Sequence, residues 1–255
     1  MGKSLVWSAV VVAALCSAET LLAKTMKSKN KKKNVPQSES EAVPVDSPSV
    51  DHDDGSSRYA RSGKSGEVGL RYGNVIGGLV GGGVDGFMFH SSGVHFGGVF
   101  YSASKDLADS LKEDETTVRL TKAIAEGRLV LLQARYFFGN SFHLGGGLGQ
   151  RQIKAILAAE STVTSDKVAI EVEVNSWVAQ LAFGNTWYWN NGFFVGADWI
   201  GYVVPLSSSR SVSSSATGAV SASLQDIHDS GEDLGDALGK TSSAMTLVLN
   251  VGYAF

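Results

Sequence analysis

Cysteine is nearly absent: Cys16 is the only one in 255 residues, and it closes the apolar run that starts at Leu5. With that residue inside or beside a removable leader, the rest of the chain has no thiol for a disulfide, a metal or redox chemistry. Proline is also rare. Three of the four prolines, Pro36, Pro44 and Pro48, stand before residue 65. Charged residues make up 18% of the chain, below the roughly 25% of soluble domains. The net charge of -3 and a pI near 6.0 exclude a strongly basic nucleic-acid binder. After the amino terminus no apolar run approaches the length of a transmembrane helix. What the chain has instead is glycine, 30 residues of it, and much serine. Glycine suits a strand that bends sharply or that carries a neighbouring aromatic ring over its backbone.

The amino terminus has Lys3, the apolar run to Cys16, then Ser17, Ala18 and Ala23. This is the pattern of a secretory signal over 1–23, too short to span a bilayer, with cleavage after Ala18 or Ala23. Leu15 before the cysteine argues against lipidation. Residues 24–65 follow as a linker: Lys24, Lys27, Lys29 and Lys31 to Lys33 open it, and Ser, Pro and acidic residues continue it to Asp54. With almost no apolar residues it cannot offset its ordering entropy, so disorder is expected there. An exported chain without a second apolar helix is periplasmic, secreted or a barrel.

From residue 66 to 255 the chain alternates with a period of two. In the last thirteen residues Met245, Leu247, Leu249, Val251, Tyr253 and Phe255 share one face, and small or polar residues share the other. Such a period is a strand. Seven further segments read the same way: near Glu67 to Asn74, Leu79 to His90, Val94 to Ser102, Arg128 to Phe138, Phe142 to Ile153, Val174 to Trp189 and Phe193 to Val204. Tight connections at Ser91-Ser92-Gly93, Gly139-Asn140-Ser141 and Asn190-Asn191-Gly192 alternate with long ones at 105–127, 154–173 and 207–242. Short turns on one rim and long loops on the other are the asymmetry of outer-membrane barrels. Gly77-Gly78 is a short connection where a longer one is expected. Thr116 to Ala125 reads either as extra strand or as a short surface helix. Aromatic residues gather at the tight-turn rim, from Phe87, Phe89 and Phe96 through Tyr136 to Phe138, Phe142 and Trp187 to Trp189, to Phe193, Phe194, Tyr253 and Phe255. They suit an interfacial girdle. The fold expected is an all-β, eight-stranded, antiparallel, up-and-down transmembrane barrel.

Motifs for chemistry are few. Gly81, Gly83 and Gly86 match a dinucleotide fingerprint, but Phe87-Met88-Phe89 follows where a helix is required. Gly63-Lys64-Ser65 has Arg58 where a phosphate loop needs glycine. His90-Ser91-Ser92 places a His and a Ser two apart, as in some lipid-A deacylating barrels, yet on the wrong rim for outer-leaflet chemistry, and catalysis would also need a group to orient them. The acidic run Asp226, His228, Asp229, Glu232, Asp233 and Asp236 lacks a calcium-loop spacing and reads as a solvated surface. No catalytic, metal or cofactor site is expected. The informative set is the polar residues predicted to face inward: Glu67, Arg71, Asp85, His95, Gln133, Arg135, His143, Arg151 and Asp198. Eight strands leave just enough lumen for side chains to fill, and both signs of charge are present. We read a plug of ion pairs in preference to a proton or ion path.

The strand pattern, the loop asymmetry and the terminal Tyr253-Ala254-Phe255 resemble those of small outer-membrane β-barrel proteins of the OmpA and OmpX type, over 66–255. The resemblance implies a monomer in the outer membrane of a Gram-negative-type bacterium, exported through the inner membrane. Its partners would be outer-membrane lipid and lipopolysaccharide, and its Tyr253 and Phe255 would be read by the barrel-assembly machinery. It implies a non-enzymatic role in envelope integrity or surface interaction through the long loops. A passive pore for small solutes and a lipid-modifying enzyme are the alternatives.

Overall fold

The computed structural model describes residues 56–76, 78–91, 93–108, 118–161, 166–217 and 224–255. The signal and the linker as far as residue 55 lie outside the described residues. A short helix, α1 (Ser57–Ser62), precedes β1 (Gly66–Ile76), β2 (Leu79–Ser91), β3 (Val94–Asp106), β4 (Val118–Phe138), β5 (Phe142–Ser161), β6 (Lys167–Tyr188) and β7 (Phe193–Ala216). A second helix, α2 (Leu224–Lys240), leads into β8 (Ser243–Ala254). The strands form one closed ring in sequence order, every neighbour antiparallel. Pairs such as Val68↔Tyr253 and Leu70↔Val251 join β1 to β8 and close the seam. The Phe255 carbonyl accepts from the N–H groups of Ser65 and Gly66, so the chain's last residue is tied to the start of its first strand.

The tight turns carry the residues their geometry demands. Gly139 and Gly192 adopt φ of +70° and +91°, which any side chain would strain. Asn191 Oδ1 accepts from the Phe193 N–H across one turn. Ser91 Oγ accepts from the Gly93 and Val94 N–H groups across another.

The wall is uneven. β1, β2, β3 and β8 have 11 to 13 residues, whereas β4 to β7 have 20 to 24. The extra seven or more residues lengthen one half of the ring by roughly 23 Å at about 3.3 Å per residue. These tops form a four-stranded crown above the long-loop rim. The pattern of residues 118–125 resolves as strand, running through Glu126-Gly127 and pairing with β5. β7 likewise outruns its expected end at Val204. Its Ser209, Ser211 and Ser213 alternate with Arg210, Val212 and Ser214, and serine on both faces hides the period.

Two helices depart from expectation. Part of the final long connection is α2, which lies on β6 and β7 inside the crown, Leu234 packing on Val172 and Val174. Gly231, Gly235 and Gly239 recur every four residues on its buried face. A Cβ on Gly231 would come to 2.7 Å from Val212 Cγ1, and one on Gly239 to 2.7 Å from Ser208 Oγ. Only bare backbone lets the helix lie this close. The second departure is α1, inside the span 24–65 expected to be disordered. Ser56 Oγ caps it by accepting from the Tyr59 N–H, and Ala60 and Arg61 are buried against the barrel. Few apolar residues suffice because the barrel supplies the surface they bury against.

Of the single-residue insertions in the ladders, three move side chains off the faces that the alternation assigned them. At Leu247, with φ +46°, the Gly73↔Val248 register steps to Asn74↔Thr246. Met245, expected on the outer face, therefore points inward and is 1% exposed. In β7 the register steps at Trp199 and again at Leu206. Tyr202, expected opposite Trp199, therefore joins it on the outside. The aromatic rim is also divided by the pleat: Tyr136, Phe138, Trp187 and Trp189 face out, while Phe87, Phe137, Tyr188 and Phe194 are buried in the lumen.

Candidate functional site in the barrel lumen

Every member of the predicted inward set is buried: Glu67, Arg71, Asp85, His95, Gln133, Arg135, His143, Arg151 and Asp198 are each 6% exposed or less. The structure brings six of them into one network and separates Gln133, His95 and Arg151 from it. Asp85 is the hub. Its Oδ2 accepts from Arg71 Nε at 2.6 Å, from Arg135 Nη2 at 3.0 Å and from Asn250 Nδ2 at 3.1 Å. Arg135 Nη1 also donates to Glu67 Oε1 at 3.0 Å, and Tyr188 Oη donates to Glu67 Oε2. On the other side Arg71 Nη1 lies 3.1 Å from Asp198 Oδ2, and His143 Nε2 lies 2.9 Å from Asp198 Oδ1. Arg71 Nη1 donates to Tyr101 Oη at 2.9 Å. Gln133 Nε2 donates to Gln180 Oε1 at 3.1 Å. Three carboxylates thus hold two guanidinium groups and one imidazole across five strands.

Such charges need a narrow, dry setting and bare walls to fit. A Cβ on Gly69 would fall 2.6 Å from both Asp85 Oδ1 and Asn250 Oδ1. One on Gly252 would fall 2.6 Å from the Phe194 ring, which lies across both glycines.

His95 and Arg151 stand apart. His95 is stacked 3.6 Å from Phe89 and tilted against Phe137, with neither ring nitrogen hydrogen-bonded among the described residues. Arg151 sits at the long-loop end. It donates to the carbonyls of Leu238 and Thr241 and to Ser243 Oγ, so it caps the carboxy terminus of α2 from β5. A cation suits that helix end.

Both mouths are occupied. At the tight-turn mouth Arg61 of α1 lies 4.2 Å from the Phe137 ring centre and donates to the Asn140 carbonyl at 2.7 Å. Burial lowers its pKa from the usual guanidinium value, while Tyr188 and Glu67 act the other way. Ser57 Oγ accepts from the Tyr188 N–H at 2.8 Å. Toward the long-loop mouth the charges give way to an apolar layer that includes Val75, Ile76, Leu129, Val178, Val203 and Met245. The β1–β2 hairpin bends inward to contribute it. Ile76 reaches across to β4, where a Cβ on Gly127 would come to 3.0 Å from its Cδ1. That tight hairpin replaces the long loop expected at Gly77-Gly78.

Sequence reasoning missed Tyr101, Tyr188, Asn250 and Gln180. All four sat on inward faces of the alternation, and their phase would have found them had every polar and phenolic group there been counted as Gln133 was. It also missed Arg61 and Ser57, for which no periodicity exists in a six-residue helix.

A closed antiparallel up-and-down ring of eight strands, apolar outside and charged within, is a transmembrane β-barrel. No known protein family and no curated protein matches the chain. Among solved structures it is similar to CarO of Acinetobacter baumannii, with TM-score 0.46 and 12% identity over 74% of this chain and 97% of that one. It is also similar to CarO2 of the same organism, with TM-score 0.41 and 11% identity over 74% and 98%. A third is a major outer membrane protein from Thermus thermophilus, with TM-score 0.43 and 12% identity over 74% and 99%.

Proposed function

We propose that this chain is a sealed, non-enzymatic barrel of a Gram-negative-type outer membrane, acting in envelope integrity or surface interaction through its crown. The observation that carries this reading is the stacking of three closures along one lumen: α1 with Arg61, the Asp85 ion network and the apolar layer under the β1–β2 hairpin. A hydrated ion moving along the axis would have to displace paired charges and then cross apolar side chains, each step costly. Ser91, which lies between His90 and the serine two residues on that was weighed for catalysis, has its Oγ engaged by two turn N–H groups. His90 is exposed beside Phe96. Ser92 lies outside the described residues.

Orientation follows from the same reading. The tight-turn rim faces the periplasm with the exported amino-terminal segment, and the crown stands outside the cell. Tyr253 and Phe255, each more than half exposed beside the seam, are accessible to the barrel-assembly machinery. Outer-membrane lipid and lipopolysaccharide surround a monomer. Planar-bilayer recording of refolded protein tests the seal: no discrete openings are expected, and reproducible steps in wild type would replace this reading with a passive pore.

A further inference from the structure

Where the apolar belt meets the crown, the described residues enclose an open cleft of about 660 Å3 on the outer wall. Phe100, Val130 and Trp177 line its membrane side with Gln150 between the last two, and Arg128, Gln152 and Asn175 line its crown side. Strand register explains this division. Arg128↔Gln152 and Gln152↔Asn175 are direct cross-strand pairs, and Val130 and Trp177 lie one outward step nearer the belt. The Trp177 ring is 55% exposed, the requirement for a stacking platform. Gln152 Nε2 and Asn175 Nδ2 both donate to Glu173 Oε1 at 2.9 Å, which fixes each amide while leaving its carbonyl and second N–H for a ligand.

Charge narrows the ligand. Among the described residues Arg128 has no ion pair. The next row toward the crown top holds Glu126, Lys154 and Glu173, and Lys154 is spent on Glu171 at 2.7 Å. Carboxylates outnumber cations there, which disfavours a bare phosphate and suits a neutral group rich in hydroxyls. Fixed amides and a guanidinium beside a half-exposed aromatic ring match a sugar, whose C–H face stacks while its hydroxyls hydrogen-bond.

We propose that the cleft binds the sugar head group of a membrane glycolipid, the ring stacked on Trp177, the hydroxyls bonded to Gln152, Asn175 and Arg128, and the acyl chains running down past Val130 and Leu132. The apolar side of the cleft continues into Leu132, 77% exposed on the belt, a surface that fits a sugar carried on a lipid and not a free saccharide. The proposal rests on the membrane reading above.

The test uses full-length protein refolded in nanodiscs that contain either tritiated glucosyl diacylglycerol or tritiated phosphatidylethanolamine with the same acyl chains. Lipid retained by the barrel after detergent exchange is counted. Wild type should retain the glucosyl lipid about fivefold over phosphatidylethanolamine. Trp177→Leu, which keeps the belt apolar, and the double variant Gln152→Ala/Asn175→Ala should each bring that ratio to one, whereas Leu144→Ala, on the belt away from the cleft, should keep it. Equal retention of the two lipids by wild type, or an unchanged ratio in both cleft variants, overturns the proposal. Displacement of the label by water-soluble methyl glucoside at equal concentration overturns the lipid assignment. A heat-shifted gel band in each variant reports folding, and failure of wild type to enter nanodiscs would sink the membrane reading itself.

Discussion

The lower halves of β5 and β6 and their crown halves are the same strands with their faces exchanged. Near the tight turns Leu144, Leu148 and Leu181 face outward while His143 and Gln180 are buried inside. Above Arg128 the outward residues are Lys154, Glu171 and Glu173, and the inward ones are Val172 and Val174 under α2. Backbone geometry is continuous across the change, so solvent must differ. A wall facing hydrocarbon puts its polar groups within, and a wall facing water does the reverse. The row Arg128, Gln152 and Asn175 marks where one solvent ends.

The sharpest way to break this comparison is to attack the buried charges on which only the lower half depends. Asp85→Ala leaves Arg71 and Arg135 without their shared carboxylate, and unfolding in urea should show a loss of about 3–5 kcal/mol. An unchanged midpoint would mean that the lumen is hydrated. Next in size is a paired substitution outside. Leu181→Arg on the belt should cost about 2–4 kcal/mol in lipid vesicles. Glu171→Arg, two crown rows away from the boundary on the same strand, should cost no more than about 1 kcal/mol, the scale of the exposed Lys154 pair it breaks. Equal costs would erase the boundary. Gly235→Leu tests the crown alone: it drives a side chain into Val172 and Arg210, so α2 should become protease-sensitive at a cost of about 1–3 kcal/mol, with the barrel's gel shift retained. The smallest effect concerns Glu173, whose pKa is held below its ordinary 4.5 by hydrogen bonds from Asn175 and Gln152. Its contribution is complete above that value and is lost as pH falls through the lower folded value. Titration of wild type against Glu173→Gln, followed by amide NMR of Asn175 and Gln152, should show a crown change below pH 4.5 in wild type alone.

The lower barrel was legible in the sequence because lipid demands a strict alternation of large apolar residues, as in Leu144 and Leu148 or Leu247 to Phe255. The crown was not, because β7 there alternates serine with Arg210 and Val212, and neither face stands out. The charges were legible one by one; their partners were not, since Asp85 meets Arg135 only after the ring closes, 50 residues away in sequence. Helix α2 was concealed by the glycines that let it dock. Single-residue insertions at Trp199, Leu206 and Leu247 leave no mark on composition, and Met245 and Tyr202 were assigned to the wrong faces for that reason.

Helix α1 has a mechanical consequence. It starts from the seam, where Ser65 is bonded to Phe255, and reaches Asn140 on the turn between β4 and β5, halfway round a ring of eight. A ring of strands flexes most easily by ovalising, which lengthens one diameter and shortens another. A brace fixed at opposite points resists both changes, so α1 should keep the cross-section round while leaving the crown free to bend.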